Sequence, residues 1–85
     1  MASSILYKRE YGTVRLRLRE LMDQRGINRN QMSRQIGVRF EVVDKWYHGG
    51  VEKLDLDILA WLCFVLDCQA GELLEYSGPG GGAKE

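Results

Sequence analysis

Eighty-five residues, 45% hydrophobic and 28% charged, set the scale of one small soluble globular domain and argue against a large catalytic cleft. Formal net charge is zero, which alone speaks against a nucleic-acid binder. The distribution speaks for one: residues 1–48 hold ten Lys and Arg against five acids and residues 49–85 hold two against seven, so the halves carry +5 and −5.

Met1-Ala-Ser-Ser lacks the basic and apolar regions of a signal peptide, so the cytoplasm is the expected compartment. Residues 1–12, with Ile5, Leu6 and Tyr7, read as an arm or short strand. Two periods then compete. Val14 to Arg19 alternates apolar and basic residues, a strand pattern, whereas Val14, Leu18, Leu21 and Met22 share a helix face. Because Leu, Arg, Glu, Met and Gln favour helix, the chain is expected to be extended through about Val14 and helical from about Leu16 to Arg25, with Gly26 closing the helix.

Asn28 suits the cap of a second helix, with Ile27 as an apolar staple before it and Met32 and Ile36 one turn apart on one face. Gly37 fits a left-handed helix end. Apolar positions resume at Val42, Val43 and Trp46, giving a third helix from about Arg39 to Tyr47. Two short helices joined this tightly suit a helix-turn-helix.

After Gly49-Gly50 and a loop, Asp55 or Asp57 places negative charge at the start of a fourth helix over residues 56–66. Leu56, Leu59, Leu62, Cys63 and Leu66 form the stripe expected to face the core. Ile58, Trp61, Phe64 and Val65 make the other side apolar too, so a second element should cover it. The longest apolar run, Ile58 to Leu66, is nine residues, against the ~20 a membrane helix needs. Residues 72–76 read as one last helical turn, with Leu73 and Leu74 closing the core, which sets the helical domain at 13–76. The Gly-rich tail 77–85 is expected to be disordered.

Few residues suggest other chemistry. Cys63 and Cys68, five apart and assigned to different faces, suit neither a disulfide nor a metal pair, and with one histidine a metal site lacks ligands. No serine sits in a nucleophile context, His48 has no evident acid partner, and the glycine run 80–82 lacks the Lys-Ser/Thr of a phosphate loop. The expectation is a non-enzyme with no cofactor, no membrane partner and no evident small-molecule ligand.

The residues from about Val14 to Tyr76 resemble the lambda-repressor/Cro-like (XRE-type) helix-turn-helix transcriptional regulators, in particular their small stand-alone bacterial branch. The likeness rests on Gly26-Ile27, Gln31-Met32-Ser33, Ile36-Gly37-Val38, Trp46-Tyr47-His48-Gly49 and the run from Asp67 to Tyr76. It implies an all-α domain of four or five helices, with the third helix in the major groove of double-stranded DNA. By the family pattern, Phe40, Glu41, Val42 and Lys45 face base edges, and Asn28, Arg29, Arg39 and His48 lie near phosphates. Phe40, Glu41, Val42 and Asp44 depart from the Ser, Gln, Asn or Arg common there, and two acids with two apolar residues make a poor generic DNA reader, because a carboxylate near phosphate is repelled. That departure keeps open a protein-interaction module, antitoxin-like or an accessory subunit, using the same surface. Ile58, Trp61, Phe64 and Val65 are assigned to a homodimer interface, since aromatic anchors favour a buried interface centre.

Overall fold

The computed structural model describes residues 11–79. In chain order these form strand β1 (Thr13–Leu16), helices α1 (Leu18–Arg25), α2 (Arg29–Ile36), α3 (Phe40–Tyr47), α4 (Leu56–Leu66) and α5 (Ala70–Leu73), and strand β2 (Leu74–Ser77). The expected arm up to residue 10 and the tail from residue 80 lie outside the described residues.

The competing periods near the start resolve by division of the segment. Val14 to Leu16 keep the extended form because a partner strand exists for them, and the helix begins only at Leu18. That partner overturns the expected last helical turn. α5 stops at Leu73, and Leu74 to Ser77 run antiparallel to β1, pairing Thr13 with Ser77, Val14 with Tyr76, Arg15 with Glu75 and Leu16 with Leu74. The ribbon thus passes the expected domain edge at Tyr76, and Gly78 beyond it is buried. At the other end Gly12 adopts φ 91°, and a Cβ there would lie 2.2 Å from the Ser77 carbonyl oxygen, so no larger residue fits.

α1, α2 and α3 follow the expected spans to within two residues. Asn28 accepts from the Gln31 amide and the Gln31 side chain accepts from the Asn28 amide, both at 2.8 Å, so a reciprocal box caps α2. Gly26 and Gly37 end α1 and α2 with φ near 70°. Leu18, Met22, Met32, Val43 and Leu62 have no exposed surface, and Leu16, Leu66 and Leu73 join them in one core.

α4 departs from its expected orientation. Leu56, assigned to the core stripe, is 79% exposed, while Ile58 and Val65, assigned to the outer face, are half-buried against the core. Leu56 occupies the first turn just past the Asp55 cap, where the described residues leave it largely uncovered. The outward face is therefore Leu56, Ala60, Trp61 and Phe64.

Cys63 and Cys68 also depart from expectation. The helix stops at Leu66 as expected, and the turn after it, not a helix face, decides where residue 68 lies. Asp67 turns left-handed at φ 52°, and the Cys68 amide donates back to the Cys63 carbonyl at 3.1 Å. This reversal carries residue 68 back over residue 63, so two positions that a straight helix would separate become neighbours.

Removing the Leu62 side chain to Ala should cost about 2–5 kcal/mol, read from the denaturant midpoint, because the surrounding helices can collapse only partly into the space. A second expectation concerns pH. The Arg15 guanidinium lies 2.8 Å from Glu20 and 2.8 Å from Glu75, and its hydrogen bond holds the Glu20 carboxyl below its ordinary range. A depressed folded-state value stabilises the fold above the unfolded-state value, near pH ~4.3, and that stability is lost as pH falls through the folded value. Glu20→Gln should therefore cost about 0.2–1 kcal/mol at neutral pH and flatten the acid limb of stability against pH.

Candidate nucleic-acid interface

α2 and α3 pack against each other across the Gly37 turn, and the surface they share is built around Arg29. Its position just after the Asn28 cap points the side chain across to α3. There Nη1 forms an ion pair with the Asp44 carboxylate, and the guanidinium lies 5.7 Å from the Phe40 ring centre and 5.1 Å from that of Tyr47. His48 Nε2 is 3.5 Å from the same Nη1 and 3.4 Å from Asp44. His48, expected to lack an acid partner, finds one in Asp44, four residues back along the same helix and so on the same face.

Tyr47 carries the network on to α1. Its hydroxyl donates to Asp23 Oδ1 at 2.8 Å, which pushes the phenol pKa above its usual value, and Arg19 stacks on its ring at 5.6 Å. One aromatic side chain from α3 is thus held by arginines of both preceding helices. Neither Asp44 nor Tyr47 was singled out in the sequence for this role. Their signal was present, since Asp44 to His48 and Arg19 to Asp23 are both i to i+4 pairs, but the reach from Arg29 to Asp44 requires the turn between the helices.

Of the expected phosphate set, Asn28, Arg29 and His48 converge at one edge. Asn28 has its side chain engaged in the cap and Arg29 is half-buried by its partners. Arg39, exposed, caps the start of α3 without a side-chain bond. Of the expected base set, Glu41 and Lys45 are exposed and Phe40 is partly so, at 38%, whereas Val42 is half-buried against the core. Arg34, Arg39 and Lys45 form no ion pair with a described residue.

The charge asymmetry has a second use that its reading as an external field missed. Arg15 donates to Glu75, Arg17 to the Glu72 carbonyl and Arg25 to the Leu66 carbonyl, so three arginines of the basic half close onto the acidic half. Among the described residues, Arg34 on α2, Arg39 at the start of α3 and Lys45 on α3 stay outside these pairings and face outward. Among the described residues no group of three or more His, Cys, Asp and Glu is placed to hold a metal ion, and no helix is long and apolar enough to cross a membrane.

The architecture and this surface define a helix-turn-helix domain. The model of the Cro/C1-type HTH DNA-binding domain matches residues 17–79, and the chain belongs to that family. No curated protein matches it. Among solved structures, a crystal structure described as a candidate DNA-binding protein from Bacteroides fragilis shares the fold, with a TM-score of 0.69 and 14% identity over 74% of this chain and 100% of that one. Members of such a family are typically not enzymes.

The bracing role of Asp44 has a measurable consequence. Asp44→Asn keeps the shape but removes the charge that Arg29 faces, and should destabilise the domain by about 0.2–1 kcal/mol in thermal unfolding at low salt, the partners being over a third exposed. The difference should shrink at 1 M salt, where the Debye length is ~3 Å.

Proposed function

We propose that this chain is a sequence-specific transcriptional regulator that binds double-stranded DNA as a homodimer, with α3 in the major groove. The observation that carries the reading is an exposed α3 rim, Phe40, Glu41 and Lys45, on a helix braced to α2 through Arg29 and begun by the exposed Arg39. A helix must hold its angle to read base edges, and the aromatic and ionic bracing supplies that rigidity. Lys45 donates to guanine O6 or N7, Phe40 meets a thymine methyl with Val42 behind it, and Glu41 accepts from cytosine N4. Arg39 and the Asn28, Arg29 and His48 edge flank the groove at phosphates.

The homodimer reading rests on α4, where Trp61 is 46% and Phe64 86% exposed, with the half-buried Ile58 and Val65 at the margin. Two-fold pairing through this face would set the two α3 helices about one DNA turn, ~34 Å, apart.

The second reading, a protein-interaction module on the same surface, is favoured by one observation. Asp44 already neutralises Arg29, and Glu41 adds a further negative charge to the rim. Binding to bulk DNA or heparin at low salt separates the two, since only the DNA reader should bind.

Selection from a random DNA pool should return a palindromic site. On that site Arg39→Ala should weaken binding to all sequences and lower the salt slope by about one, while Lys45→Ala should relax preference at one base pair, worth about 1–3 kcal/mol. Unchanged gel shifts for both variants would remove α3 from the contact surface. Trp61→Glu should halve the sedimenting mass, and an unaltered mass would remove this face from the dimer.

A further inference from the structure

The turn that ends α4 brings together the two cysteines of the chain. In it the Cys68 amide closes on the Cys63 carbonyl at 3.1 Å and the Asp67 amide on the Phe64 carbonyl at 3.3 Å, with Asp67 left-handed between them. This paired closure sets the side chains of its first and last residues against each other, a contact usually filled by two apolar groups. Here both positions are cysteine. Both are free thiols, half-exposed, and line one shallow cleft with Phe64, Asp67, Gln69 and Glu72.

We propose that Cys63 and Cys68 form a reversible intramolecular disulfide by exchange with a low-molecular-weight disulfide such as oxidised glutathione. The Cys63 thiolate attacks one sulfur of glutathione disulfide, giving a mixed disulfide and one glutathione thiolate. Cys68 then loses its proton, attacks the Cys63 sulfur and releases the second glutathione. Two protein thiols are oxidised by two electrons, one small disulfide is reduced to two thiols, and the two protons pass to the departing glutathiones. The order of attack follows from the surroundings: burial first, then the neighbouring Cys63, push the Cys68 thiol up, so it acts second. A disulfide needs Cα atoms within about 4.4–6.8 Å, so its two residues must lie side by side, and the back-closing turn draws residue 68 toward residue 63 where a straight helix at this spacing would carry it away. The bond would lock the turn between α4 and α5, the stretch that leads on into β2.

The full chain is incubated with excess oxidised glutathione and followed by intact mass. The wild type should end as a monomer two hydrogens lighter with no glutathione attached, and dithiothreitol should restore the starting mass. Cys63→Ser and Cys68→Ser, checked for native circular dichroism, should instead stop at one added glutathione. A wild type that also stops at the mixed disulfide, links two chains together, or remains unreacted would overturn the proposal. Unfolding of the two-hydrogen-lighter monomer should also shift to higher temperature than that of the reduced chain. DNA binding is not part of this readout, so its outcome is independent of the reading of α3.

Discussion

Three eight-residue helices set the central constraint, because helices of that length are marginal in water and persist only where other elements bury one face. α4 supplies that burial. Leu62 and Leu66 sit almost wholly enclosed, and α4 packs against both α1 and α2. The turns do the complementary work. Gly26 and Gly37 let α1 and α2 end and the chain reverse within three residues, so their apolar faces return to the same centre without a long loop.

Charge organises the outside of that core. Arginines that reach from β1 and α1 to Leu66, Glu72 and Glu75 tie the first quarter of the described chain to its end, alongside the β1 and β2 ladder. Each exposed pair contributes little by itself. Their value here is directional, because the guanidinium fork meets backbone carbonyls and carboxylates that only the native path brings near. Arg34, Arg39 and Lys45 stay outside those pairings, so a domain of zero formal charge still presents cations on and beside α2 and α3.

The α3 rim is a compromise between rigidity and charge. Holding Arg29 between Asp44 and two rings fixes the angle of α3 to α2, yet it also removes one cation from the outward field. A reader helix of this kind depends more on its few outward side chains, Glu41 and Lys45 among them, than on bulk attraction to phosphate. The contrast with α4 is clear: its outer face, Leu56, Trp61 and Phe64, carries no such network and presents apolar surface instead.

Local signals in the chain determined the first four helices, the Asn28 cap, the glycine stops and the helix-turn-helix itself, since capping and period act over three or four residues. The resemblance, not the period, pointed to Arg39, Phe40, Glu41 and Lys45, which belong to one short element and are at least partly exposed there. Tertiary structure decided whatever depends on a distant partner. Leu74 to Ser77 became a strand only because Val14 to Leu16 lay open beside it, and Leu56 faced solvent because no other described residue covers the start of α4. Arg29 was committed to Asp44 across a turn, and Cys68 came back to Cys63 because Asp67 took a left-handed conformation. Pairings between residues far apart in the chain, or across a reversal, carry no period of their own, and the fold alone brings them together.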